Sequence, residues 1–183
     1  MEISMTDKEI SKVLVSESEL KEICKSLGER ITKDYQGKKL LLVSVLKGAV
    51  VFMSDLLREI KCDCVIDFMA VSSYSGVKTT GVVKFKKDLD INPDGMDILL
   101  VEDILDSGIT LAYLKNLLLD RNAASIKVCA LLDKPDNRQS DIKADYVGRV
   151  IPDEFVVGYG LDYDEKYRNL PYVGVLSPEV YNK

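Results

Sequence analysis

The chain contains no histidine and no tryptophan. Without histidine there is no Ser-His-Asp triad, no Cys-His dyad and no imidazole to hold a metal. General acid–base work then falls to a carboxylate, lysine, tyrosine or cysteine, and any bound metal would be a hard ion held by oxygens. Cysteine is scarce too. Of Cys24, Cys62, Cys64 and Cys129, only the middle two are close, and Asp63 alone separates them. That is not zinc spacing, and the four read as reduced thiols of a cytosolic protein. No apolar run approaches the ~20 residues that span a bilayer. The opening M-E-I-S-M-T-D-K lacks an apolar signal core. The expectation is a soluble, cytoplasmic protein with no membrane partner. Positive charge is not in excess either: 25 Lys and Arg against 30 Asp and Glu leave a net charge of −5. This balance argues against a nonspecific nucleic-acid binder.

What is present suits one domain over 1–183, since 46% of the 183 residues are apolar and can fill a core. There is no internal repeat and no low-complexity segment. Ser16 and Glu19 have capping-box spacing, and Leu20, Ile23, Cys24, Leu27 and Ile31 recur at helical spacing, which predicts a helix over 17–34. A buried strand over 39–45 leads through Leu46-Lys47-Gly48-Ala49 into a helix over 50–60. Strands follow over 64–71 and 82–86, separated by the polar, glycine-punctuated stretch 72–81. Further strands are expected over 125–132, 155–160 and 172–176, with 138–146 polar and irregular. The alternation predicts an α/β fold, a mostly parallel central sheet flanked by helices.

The most informative stretch is Ile98 to Thr110, I-L-L-V-E-D-I-L-D-S-G-I-T. Ile98 to Val101 read as a strand buried on both faces that ends at Glu102 and Asp103. An amphipathic helix follows through Leu111, Leu114, Leu117 and Leu118. The turn between them lies at the carboxyl edge of the sheet, where open α/β sheets bind ligands. Gly108 tolerates unusual backbone, Ser107 and Thr110 bring hydroxyls, and the first helical turn offers free N–H groups. A phosphate fits there without a lysine. The plainer alternative makes Asp106 or Ser107 a helix N-cap. Glu102 and Asp103 repel each other unless a cation or hydroxyl donors share them, and Mg²⁺ and the vicinal hydroxyls of a sugar are the natural occupants. Together the run reads as a site for a ribose 5-phosphate. Asp106, a poor neighbour for phosphate, would point toward whatever the phosphate is attached to.

V-E-D-I-L-D-S-G-I-T resembles the phosphoribosyl-diphosphate (PRPP) binding signature of type I phosphoribosyltransferases. The resemblance extends from about Val43 to Leu176. It takes in Leu46-Lys47-Gly48, the Ser73-Tyr74 loop, L-L-D-K-P ending near Lys134, and F-V-V-G-Y-G-L-D-Y-D-E-K-Y-R from Phe155 to Arg168. Within the family it points to the subgroup that uses hypoxanthine and guanine. The resemblance implies transfer of a phosphoribosyl group from PRPP to N9 of a 6-oxopurine, with release of pyrophosphate and a requirement for Mg²⁺. It implies a small hood from the terminal segments, a flexible hairpin lid carrying Ser73 and Tyr74, and a homo-oligomer, dimer or tetramer. By the same resemblance Asp106 would handle the purine proton, and Asp106, Ser107, Gly108, Ile109 and Thr110 would cradle the 5′-phosphate. Glu102 and Asp103 would hold ribose and Mg²⁺, with Asp162 on a second Mg²⁺. Lys47, Gly48 and Arg168 would bind pyrophosphate, and Lys134, Phe155 and Val156 the purine. Lys134 is donor-only, which suits a 6-oxo group and rejects a 6-amino group. Gly160 departs from the alanine that some family members carry. Two other readings keep the fold: a PRPP-binding regulator that binds nucleic acid, and a transferase for another base. The acidic balance disfavours the first, and Lys134 with Phe155-Val156 disfavours the second.

Overall fold

Strand β2 (Leu40–Leu46) shows no polar alternation because both of its faces are covered. In the computed structural model, which describes residues 9–73 and 83–182, Leu40 and Leu42 face one apolar cluster, and Leu41, Val43 and Val45 face another. β5 (Asp97–Leu105) and β6 (Ser125–Asp133) divide the same way. Leu99, Val101, Cys129 and Leu131 point to the first cluster; Ile98, Leu100, Val128 and Ala130 point to the second. Successive side chains on a strand point to opposite faces, so a strand buried on both sides reads as a continuous apolar run. Helices α1 (Glu17–Tyr35) and α2 (Val50–Glu59) close the first face with Leu20, Leu27, Ile31, Phe52 and Leu56. Helix α3 (Ile109–Asp120) closes the second with Leu111, Leu114 and Leu118.

The main sheet has six strands in the order β4-β3-β2-β5-β6-β7, with β3 at Cys64–Ser73, β4 at Val83–Lys87 and β7 at Tyr146–Val150. All pairs are parallel except β3 with β4. The chain winds outward from β2 to β3, returns to β5, and winds outward the other way. The order therefore reverses between β2 and β5, and the crevice at their carboxyl ends is the expected ligand edge. A second, antiparallel sheet of three strands stands beside it. Its order is β1-β9-β8, from Ile10–Val15, Val173–Leu176 and Val156–Val157. This is the hood expected from the terminal segments. A last short helix, α4 (Pro178–Tyr181), follows β9.

Four differences from the sequence reading have physical reasons. β5 does not end at Glu102 and Asp103 but runs on to Leu105, because β6 continues beside it and pairs Glu102 with Ala130, Ile104 with Leu132 and Leu105 with Asp133. Backbone pairing outlasts the apolar run. The stretch read as irregular over 138–146 ends one residue sooner, and an edge strand that the sequence reading did not mark runs over 146–150, with Gly148 pressed so close to Leu131 O that a β-carbon would lie 2.5 Å from it. β1 escaped notice because Ser11, Lys12 and Val13 are all exposed, which leaves no alternation to read. α4 is a single turn, too short for any helical period. The expected hairpin arm is seen in the pairing of Val71 with Phe85 and Ser73 with Val83. Tyr74 and the rest of the expected lid tip lie outside the described residues.

The expected capping box starts α1. Glu19 N donates to Ser16 Oγ at 3.3 Å and Ser16 N to Glu19 Oε2 at 2.8 Å, while Arg149 reaches Glu19 Oε1 at 2.7 Å. The hydrogen bonds from Ser16, then the arginine, hold the Glu19 carboxyl at about 2 instead of 4.5. The folded-state value is the lower one, so Glu19 contributes stability that is complete above its unfolded value and is lost as pH falls toward 2. Glu19→Gln should therefore lower the thermal midpoint near neutral pH. The gap to wild type should close as the measurement is repeated down to about pH 2; a gap that stays constant would show that the charge is not what matters.

Candidate active site

Leu105 and Asp133 are partners across β5 and β6, so the next residues, Asp106 and Lys134, leave the sheet side by side. Lys134 N donates to Leu105 O at 3.0 Å, which ties the two exits together. The Lys134 side chain is buried, at 9% exposure, with Nζ 3.4 Å from Asp153 Oδ1. Asp106 Oδ1 is buried and has no hydrogen-bond partner among the described residues. Leaving a buried acceptor unpaired is costly, so an atom of this kind calls for an explanation.

Neither Asp106 nor Ser107 caps α3. The N-cap is Gly108, in the left-handed region at φ 76°, and no side chain caps the helix. The first N–H groups of α3 are thus left open to an outside acceptor. Glycine is required at this point: a β-carbon would lie 2.5 Å from Ile142 Cγ2 and 2.6 Å from Ser140 Oγ. The 138–142 segment also holds the turn from below. Gln139 N donates to Ser107 O at 2.9 Å and Ser140 Oγ to the same oxygen at 3.2 Å.

The acid pair meets the end of β2. Asp103 Oδ1 accepts from Ile104 N at 2.8 Å, and its Oδ2 lies 1.8 Å from where a β-carbon on Gly48 would sit. The peptide between Leu46 and Lys47 is cis. Gly160 approaches from the other side, with its β-carbon position 2.1 Å from Gly48 O. An alanine at 160 would need these two backbones further apart than they are here. Burial, reinforced by the negative charge of Asp103, holds the Glu102 carboxyl well above the usual carboxylate range. Burial also pushes Asp103 up to about 6, against the Ile104 N–H and the positive charge of Arg168. These are two carboxyl groups short of positive charge.

Four charged residues, Lys47, Asp162, Glu165 and Arg168, lie beyond them. Arg168 Nη1 donates to Gly160 O at 2.8 Å, and its Nη2 lies 2.8 Å from Asp162 Oδ1. Glu165 sits between two cations, with Lys47 Nζ at 2.9 Å and Arg168 Nη2 at 3.1 Å. Ion pairs therefore join Lys47, Glu165, Arg168 and Asp162, and Gly48 lies against both Asp103 and Gly160. Among the described residues no three carboxyl, cysteine or histidine side chains converge as a ready metal cage. Phe155 and Val156 belong to the hood: Val156 pairs with Val175, and Phe155 keeps 40% of its surface exposed. Ser73 closes β3, and Tyr74 is outside the described residues.

Residues 14–164 match the model of the phosphoribosyl transferase domain. The chain is 56% identical over 178 residues to a hypoxanthine-guanine phosphoribosyltransferase of Lactococcus lactis subsp. lactis, covering 97% of each chain. It is 53% identical over 180 residues to one of Streptococcus thermophilus, covering 98% of this chain and 100% of that relative. This chain belongs to the hypoxanthine-guanine phosphoribosyltransferase family. A crystal structure of a hypoxanthine phosphoribosyltransferase from Staphylococcus aureus agrees, with a TM-score of 0.96 at 50% identity and 100% of both chains covered.

In this phosphoribosyltransferase three supporting residues were not legible in the sequence. Asp153 accepts from Asn137 Nδ2 at 2.7 Å and is the ion-pair partner of Lys134. Glu165 looked like one charge among several in L-D-Y-D-E-K-Y-R. Arg138, within a stretch read as irregular, pairs with Asp133 and donates to Ile142 O at 3.2 Å and Leu105 O at 3.4 Å. It thereby ties the residue before Asp106 to the residue before Lys134. Its proximity to L-L-D-K-P was the one available signal. Both members of the Arg138–Asp133 pair are largely buried, and removing one partner of such a pair leaves an uncompensated charge. Arg138→Met should lower the free energy of unfolding by about 3 kcal/mol in urea denaturation. A loss below about 1 kcal/mol would put the pair with ordinary surface pairs.

Proposed function

We propose that this chain is a purine salvage enzyme that transfers the 5-phosphoribosyl group of PRPP to N9 of hypoxanthine or guanine, giving IMP or GMP and pyrophosphate. The observation that carries the residue assignment is the pair of exits from β5 and β6. Asp106 brings a buried acceptor, Oδ1, that has no partner among the described residues, and beside it Lys134 brings a buried donor.

Each part of the substrate has a matching environment. The open N–H groups of α3 with Ser107, Gly108, Ile109 and Thr110 suit the 5′-phosphate. Glu102 and Asp103 suit the ribose hydroxyls and Mg²⁺. Their raised carboxyl values mark a place where a divalent cation relieves burial and mutual repulsion. Mg²⁺ is commonly held by one or two carboxylates plus substrate phosphates, which fits a site without a complete protein cage. Asp162 is the carboxylate that would hold a second Mg²⁺, on the pyrophosphate. When bound, the ion supplies charge neutralisation for the departing pyrophosphate. Lys47, Gly48 and Arg168 hold that group, Arg168 through its planar fork.

The purine stacks on Phe155, donates to the Val156 backbone, and presents its 6-oxo group to the Lys134 ammonium. As N9 bonds to C1 of the ribose, the base must shed a proton. Asp106, unpaired and adjacent, accepts it near N7. Positioning of the two reactants and compensation of charge carry the rest of the rate. Ser73 and Tyr74 belong to the loop that screens this chemistry from water. Among the described residues no helix is long and apolar enough to cross a membrane. We place the enzyme in the cytoplasm, as a homo-oligomer.

A pyrophosphate-release assay with PRPP, Mg²⁺ and a panel of bases tests this reading. Turnover is expected with hypoxanthine and guanine, not with adenine, uracil or orotate, and should vanish on exhaustive chelation. Turnover with adenine, or full activity without metal, would refute it. The assignment of Asp106 has its own test. Asp106→Asn keeps the shape but cannot take the proton, so kcat should fall by about 10² to 10⁴ with PRPP binding little changed. Wild-type turnover in this variant, measured where chemistry limits the rate, would leave the general base elsewhere.

A further inference from the structure

We infer that Tyr181, in the single turn α4, is a positioning residue for the purine, its ring backing Phe155 and fixing the tilt of the platform on which the base stacks. This rests on the reading above, in which Phe155 takes the base.

The backbone brings Tyr181 to that place. Leu176 N donates to Phe155 O at 2.9 Å, so the end of β9 is fastened beside the start of β8. Ser177 N then donates to Glu9 O at 2.8 Å, which anchors the chain to the segment before β1. Val180 N to Ser177 O and Asn182 N to Pro178 O, each at 2.9 Å, close the turn of α4 and fold its last residue back over the hood. The Tyr181 ring lies on Phe155 with centroids 5.0 Å apart and planes 24° apart, a stacked pair. Tyr163 meets Phe155 at 5.6 Å and 86°, an edge contact.

The phenyl ring of Phe155 is thus held by two aromatic neighbours while much of it remains open. A half-exposed phenylalanine with no neighbours would lose rotamer freedom each time a base stacked on it. Backing by Tyr181 makes that loss during folding instead of during binding, which is how preorganisation raises affinity. Tyr181 itself has no contact with the base in this arrangement. It acts through Phe155, and the stack requires only its ring, not its hydroxyl.

The test is steady-state kinetics of the full-length enzyme with Tyr181→Ala, Tyr181→Phe and a chain ending at Ser177. An aromatic pair is worth enough to change an equilibrium by about 2- to 10-fold. The alanine variant and the shortened chain should raise KM for hypoxanthine and guanine by about that factor, with KM for PRPP unchanged. The phenylalanine variant should match wild type. An unchanged KM for the base would overturn the proposal. So would a lowered one, because it would put the tyrosine ring on the face that the base needs. A parallel rise in both KM values would also overturn it, as general loosening of the hood. Wild-type turnover with hypoxanthine or guanine keeps these outcomes separate from a failure of the underlying reading. No wild-type turnover with either base would overturn both.

Discussion

The carboxyl edge of this sheet depends on an absence of side chains at one place. Asp103 Oδ2 occupies the space where a β-carbon on Gly48 would be, and Gly160 closes on Gly48 O from the opposite side. The turn after β2 therefore meets the Asp103 side chain on β5 and the backbone of Gly160 in the charged loop. Any atom added there would separate them, and close-packed interiors absorb such additions poorly. Because Gly160 also supplies the carbonyl that holds Arg168, the same contact places a positive charge that Asp103 feels. The electrostatics of the crevice follow from this steric fact.

A second consequence of the topology is that the residues proposed for the base come from two parts of the molecule. Lys134 and Asp106 come from adjacent parallel strands with fixed register, so their spacing is as rigid as the sheet itself. Phe155 and Val156 come from the antiparallel hood. The proposed purine site is the seam between two sheets, one of which is built largely from the first and last described segments of the chain. Arg138 acts on the rigid side of that seam, where it bridges the two strand exits.

The sequence was most legible where a physical requirement leaves a local trace. Strands buried on both faces announced themselves through unbroken runs such as Leu40 to Val45. The capping box of α1 was visible in Ser16 and Glu19, and the glycine demanded at 108 stands in the middle of the phosphate turn. Legibility failed where the requirement is distant. Glu102 to Leu105 remain in β5 because β6 lies beside them, which no local pattern records. That the cap is a left-handed Gly108, and not the Asp106 or Ser107 of the plainer alternative, reflects a turn braced from residues 138–142. β7 and α4 draw their support from Leu131 and from the hood, not from any period of their own. The partners of Lys134 and Arg138 are likewise written elsewhere in the chain.

Glu165 gives the crevice a property that none of its members has alone. Its carboxylate lies between Lys47 and Arg168, and the left-handed backbone at φ 62° presents it from a tight loop. The two cations are consequently not bare in the absence of ligand. A polyanion that draws on them enters by exchange, with Glu165 stepping aside, and it leaves with a resident anion ready to resume its place. The same internal competitor therefore opposes arrival and favours departure, so the cations can be strongly attractive without becoming a trap.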